Sequence, residues 1–176
     1  MRWIGWMSGM CLGLVVAAAQ AEPLKPVYTS LQDCPAIKSI ALPERVATAS
    51  RYEGLRRCKG VAGYDLVVVD QDPRSFLALE VGGRVHSLEE PMVRLFPLGH
   101  FPDISTTKVV EWRVDGRGRP AGFIVRVHYQ DPNVPATAAA AQRSTLMVFD
   151  LRSLPPRMIG MTTDNAAARR LADGGL

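Results

Sequence analysis

The chain is predicted to fold as a single α+β domain: one mainly antiparallel β-sheet of about six strands, a C-terminal helix and one disulfide on the N-terminal side. Two observations predict the sheet. Runs of β-branched and large apolar residues alternate with polar ones at a two-residue period, and Gly, Pro, Asn and Asp break those runs at short intervals. A third predicts the helix: the stretch richest in helix formers, "NAAARRLAD", comes last.

The opening "MRWIGWMSGMCLGLVVAAAQAEP" has Arg2, an apolar run from Trp3 to Ala19, and Ala19-Gln20-Ala21 before Glu22. That is the layout of a secretory signal peptide, residues 1–21. An uncleaved anchor is the rival reading, because the run is near the lower limit of roughly 17 residues for a bilayer span. Cys11 follows the bulky Met10 and fits a lipoprotein poorly, and no twin-arginine pair is present. Cleavage leaves Glu22 to Leu176, enough for one domain with its own core and without a segment for stable membrane insertion. Only Arg2 among the charged residues leaves with the leader. The remaining basic excess is slight, which argues against nucleic acid and leaves an envelope protein or an anionic envelope component as the expected partner.

Removal of Cys11 leaves Cys34 and Cys58, an even pair expected to join in an oxidising compartment. A loop of about 25 residues closed this way is worth about 3 kcal/mol. Their spacing is far from C-x-x-C, and a metal pair needs further ligands nearby.

Pro23, Pro26, Pro35 and Pro43 deny the first mature segment a long helix and predict an extended run held by Cys34. Val46 to Arg57, "VATASRYEGLRR", is expected to form one or two helical turns, weakened by Gly54. "YDLVVVD" and "SFLALEV" then read as an antiparallel pair joined through Asp70 to Pro73, with one mostly apolar face. Gly82 to Ser105 is expected to be a long irregular loop, and such loops are often functional.

In Val109 to Tyr129, Val110, Trp112 and Val114 share a face with Phe123, Val125 and Val127, while Glu111, Arg113 and Arg126 take the other. A turn on Gly118-Arg119 sets Trp112 opposite Val125 and Glu111 opposite Arg126. Turns on Asp115-Gly116 or Arg117-Gly118 keep the faces and change the partners. Asp131 to Ser144 is a small-residue insertion expected to be mobile. "STLMVFDL" and "RMIGMTT" follow as strands, and Asp164 or Thr163 caps the final helix, which Gly174 and Gly175 stop.

The blocks "VYTSLQDC", "CKGVAGYDLVVVDQDPRSFLAL", "VVEWRVDGRGRPAGFIVRV" and "DNAAARRLAD" resemble an uncharacterised family of small exported proteins of Gram-negative bacteria. The resemblance spans most of the mature chain and implies a periplasmic location without implying an activity. Some members of that family carry a second cysteine pair near the C-terminus. This chain lacks one, so its terminal helix is expected to be held by packing alone.

Arg113, Arg117, Arg119 and Arg126 on one hairpin suit carboxylate or phosphate recognition. As the wet side of a sheet, paired with Glu111 and Asp115, they contribute only about 0 to 1 kcal/mol each. His86, His100 and His128 suggest a zinc site, but no H-E-x-x-H spacing supports it and no metal is expected. No G-x-S-x-G is present, Ser75, Ser87 and Ser105 lack a marked context, Gly82-Gly83 form no phosphate loop, and adjacent Glu89 and Glu90 point apart in an extended chain. Neither a catalytic residue nor a cofactor is expected. In "RLFPLGHFPDI", Phe96 and Phe101 either anchor a partner or cover the edge of the core. The expected function is a non-enzymatic periplasmic binding or interaction domain. The alternatives are a small hydrolase or metal-binding protein using the three histidines, and a self-associating structural protein of the envelope.

Overall fold

The computed structural model describes residues 23–43, 45–48, 52–135, 137–138 and 141–174; the predicted signal peptide, residues 1–21, lies outside the described residues. In chain order the first seven strands are β1 (Lys25–Ser30), β2 (Ser39–Leu42), β3 (Arg45–Thr48), β4 (Gly54–Val61), β5 (Tyr64–Gln71), β6 (Arg74–Val81) and β7 (Arg84–Ser87). A π-helical turn, Glu90–Arg94, leads to β8 (His100–Asp103), β9 (Val109–Val114), β10 (Pro120–Gln130), β11 (Gln142–Asp150), β12 (Arg157–Thr162) and helix α1 (Asn165–Ala172). The predicted class holds: the strand pairs are antiparallel, α1 is C-terminal, and Cys34 is joined to Cys58. The strands are more numerous than the six predicted, and they form three sheets rather than one.

The first sheet runs β1-β9-β10-β11-β12, with β8 paired to the far end of β10. The second is a meander, β4-β5-β6-β7, and the third is the β2-β3 hairpin. In the meander, Leu66 to Val69 and Phe76 to Leu79 are buried without alternation. The sequence suggested half-buried strands there. Both faces are covered instead: the first sheet lies on one side, and the β2-β3 hairpin contributes Ile40, Leu42 and Ala47 to the same core.

Trp112, Phe123 and Phe149 form the centre of the first sheet's inner face, with ring centroids 5.5 and 4.8 Å apart in succession. The indole N–H of Trp112 donates to Thr29 Oγ1 at 2.8 Å, so the largest buried side chain leaves no polar atom unpaired. Each such ring contributes about 1.5 to 3 kcal/mol by burial. Gly60 lies under this ring, where an added Cβ would come within 2.6 Å of the indole and collide with the Tyr64 carbonyl. That close approach requires glycine.

Several local expectations are corrected. The described residues of Val46 to Arg57 form no helical turn: β3 pairs with β2, Tyr52 and Glu53 bend, and β4 pairs with β5 and buries Leu55 and Cys58. Gly82 to Ser105 is not one irregular loop but contains β7, the π-helical turn and β8. There Met92 is fully buried, and its sulfur accepts from the Leu77 N–H beyond the end of β7. The β9-β10 hairpin keeps the predicted faces and takes the register of the alternative turn on Arg117-Gly118 rather than that on Gly118-Arg119, with Trp112 opposite Phe123 and Glu111 opposite Ile124. The reason is Asp115, whose Oδ1 accepts from the backbone N–H groups of both Arg117 and Arg119 at 2.9 Å and closes a longer turn than Gly118-Arg119 alone. The 131–144 segment is tied at its base, since Asp131 N–H donates to the Ala141 carbonyl and Ala141 is fully buried.

Helix α1 is capped as predicted, Asp164 accepting from the Ala167 N–H at 2.6 Å. It covers the outer face of the first sheet through Ala168, Ala172 and Leu171 against Ile124, Leu146 and Val148. Packing is not its only tie: Arg113 bonds Asp173, Arg169 bonds Glu111, and Arg152 donates to the Ala172 carbonyl. Among the described residues no helix is long and apolar enough to cross a membrane.

Candidate functional site: two ends of opposite charge

The four hairpin arginines occupy three settings. Arg113 is 6% exposed; its Nε and Nη2 donate to the two Asp173 oxygens at 2.8 Å, Nη1 meets Glu111 at 3.2 Å, and Nη2 also reaches the Leu24 carbonyl. Its guanidinium is held above the ordinary arginine value, chiefly by the hydrogen bonds to Asp173. A side chain so committed fastens the helix to the sheet. Arg126 donates to the Ser144 hydroxyl at 3.0 Å on the same face. Arg117 and Arg119 project from the turn, and Arg119 pairs with Asp115 at 2.8 Å.

The turn places those two beside cations from other elements. The β4-β5, β6-β7, β9-β10 and β11-β12 connections all meet at one end of the molecule, where a groove of about 310 Å³ joins Tyr64, Asp115, Arg119, Leu151 and Arg152. Gly82 and Gly83, both with positive φ, form the two-residue turn that puts Arg84 there. Lys59, Arg84, Arg117, Arg119, Arg152 and Arg157 are exposed at this end. Of the nearby carboxylates, Asp115 serves Arg119, Asp150 serves Arg152 and Arg157, Glu80 serves Arg57, and Asp65 accepts from the Gly60 N–H. Hydrogen bonds from the turn, the Arg119 backbone N–H first, hold the Asp115 carboxyl below the usual carboxylate range. Lys59, Arg84 and Arg117 have no carboxylate partner among the described residues.

The opposite end is acidic. Glu53, Asp70, Asp72 and Asp103 line an open cleft of about 470 Å³ with Arg74 and Ser105, beside a second cleft of about 490 Å³ that shares Pro73 and Asp103. Asp70 bonds Arg56 through one oxygen, while its Oδ1 is buried without a partner. Burial, with Asp103 adding to it and Arg56 opposing, raises the Asp70 carboxyl above its ordinary value. Asp103 is tied down by the hydroxyls of Ser75 and Ser105, each at 2.6 Å. Periodicity gave no sign of this cluster, because its members come from strands far apart in the chain. Phe101 stands at the mouth of the second cleft, 42% exposed, with φ at 52° and the Arg74 guanidinium 5.3 Å from its ring centroid. Phe96 instead covers the core edge, stacked edge-on against Tyr129.

His100 and His128 lie on neighbouring strands, opposite Gln130 and Asp103, while His86 is on the other sheet opposite Leu79. The fold therefore does not bring the three imidazoles together. Among the described residues no three His, Cys, Asp or Glu side chains are grouped as a metal ion requires. The Ser75 and Ser105 hydroxyls both donate to Asp103 and neither bonds His128. Compared with protein-family models, curated proteins and solved structures, the chain matches none, and its function rests on its own residues.

Proposed function

We propose that the mature chain is an exported, periplasmic, non-enzymatic binding domain whose basic end contacts an anionic component of the cell envelope. One observation carries the reading: Lys59, Arg84 and Arg117, at or beside three separate turns, are exposed without carboxylate partners at the same end as Arg119, Arg152 and Arg157. Clustered cations without local partners raise the encounter rate with an anionic surface and are worth most at low salt. Export is supported by the Cys34–Cys58 bridge, which belongs to an oxidising compartment, by the leader-like residues 1–21 and by the resemblance to exported proteins.

The test is sedimentation of oxidised Glu22–Leu176 with washed envelope particles. The parent chain is expected to sediment at low salt and to be released as salt rises, and the Arg84→Ser/Arg117→Ser variant to remain in solution. Equal retention of variant and parent would sink the reading. The exposed Phe101 favours a second contact, with a protein partner at the acidic end; retention of such a partner should be lost in Phe101→Ser and unaffected by Arg84→Ser/Arg117→Ser.

A further inference from the structure

The basic end is also where the chain enters the domain. Lys25 pairs with Val114 next to the β9-β10 turn, and the Leu24 carbonyl accepts from Arg113. Exposed Lys25 adds a further cation at that entry. The loop between β11 and β12 lies at this end too, and its Leu154 is 45% exposed with Arg152 and Arg157 on either side of it. An exposed apolar side chain on a cationic end suits the boundary between headgroups and acyl chains, where apolar burial and attraction to anionic lipid add.

Two further features favour a surface over a small soluble anion. The arginines of the groove at this end, Arg119 and Arg152, are already paired with Asp115 and Asp150, so a single anion would have to displace a carboxylate. The unpaired cations instead sit on separate turns, spread over the end as an extended anionic plane requires. At the other end Glu53, Asp70, Asp72 and Asp103 disfavour the reversed orientation.

Resting on the reading of the basic end as the contact surface, we propose that its ligand is the surface of an anionic phospholipid bilayer, met end-on with Leu154 entering the headgroup layer. The disulfide and the buried core both belong to Glu22–Leu176, the proposed mature chain, which is the unit to test. The experiment is co-sedimentation of that oxidised chain with vesicles of phosphatidylglycerol in phosphatidylcholine and with vesicles of phosphatidylcholine alone, in parallel with washed envelope particles.

Binding is expected to the phosphatidylglycerol vesicles only. It should fall about fivefold for each of Arg84→Ser and Arg117→Ser, and about fivefold for Leu154→Ser with the salt dependence retained. Glu53→Ser/Asp72→Ser should bind no more weakly than the parent. Equal binding to both vesicle types, or no loss in the arginine and leucine variants, overturns the proposal. If vesicle binding is absent but salt-sensitive retention on envelope particles persists, the lipid assignment falls and the basic end stands. If both are absent, both fall.

Discussion

The two ends of the molecule are built from the same turn chemistry and arrive at opposite charge. At the basic end Asp115 is spent on its own turn, held ionised by the Arg117 and Arg119 backbone, and Asp150 is spent on two arginines, so cations from neighbouring turns are left over. At the acidic end the arginines are spent instead: Arg56 bonds Asp70 and Arg74 lies over Phe101, while Glu53, Asp72 and Asp103 remain around the cleft. The contrast teaches that net charge along the chain says little here. What matters is which charges find a partner within their own turn and which are left for something outside the molecule.

The largest effect breaks what the ends share. Replacing both Cys34 and Cys58 with alanine should cost about 3 kcal/mol in urea unfolding, while the folded fraction keeps the charge contrast and its salt-sensitive retention. Arg113→Ala comes next, at about 2 to 3 kcal/mol, because it leaves Asp173 without its guanidinium partner, takes one of two arginines from Glu111 and loosens α1. Four residues away, Arg117→Ser should change stability by no more than about 0.5 kcal/mol while weakening retention on the envelope. If these two arginines proved equally costly to fold stability, the distinction between fastening and contacting residues would fail.

The pH response sharpens the comparison with smaller effects. Asp70 has its folded pKa raised, chiefly by burial, so the folded chain holds more protons than the unfolded chain just above the ordinary carboxylate value. Its contribution to stability therefore declines as pH rises through that interval. Asp115 has its folded pKa lowered, so its contribution is present above the ordinary value and is lost as pH falls through the folded one. Titration followed by carboxyl carbon shifts in NMR should place Asp70 above the usual carboxylate midpoint and Asp115 below it. Coincident midpoints would contradict the account of both ends.

Much of this was legible in the sequence where the cause is local. The hairpin faces follow from alternation, the Asp164 cap from its position before a helix-forming run, and the disulfide from an even cysteine pair. Where the cause is distant, sequence reading failed. The described residues of Val46 to Arg57 are recruited largely into strands, residues 46–48 by β2 and 54–57 by β5 with burial of Leu55, against a weak helical signal. The role of Arg113 depends on Asp173, which the chain brings back only after sixty residues. The bond from Ser75 to Asp103 depends on one sheet packing against another. Arg117 and Arg119 could be named as candidates from the hairpin alone, but Lys59, Arg84, Arg152 and Arg157 become their neighbours only through the meeting of four separate turns.

The most direct test of the basic end as the contacting surface is amide hydrogen exchange of oxidised Glu22–Leu176 with and without washed envelope particles at low salt. The account predicts slowed exchange in the turn at Gly116 to Arg119 and in the loop around Leu154, with the turn at Asp72 to Arg74 unchanged. Protection confined to the acidic end, or equal at both ends, would contradict it.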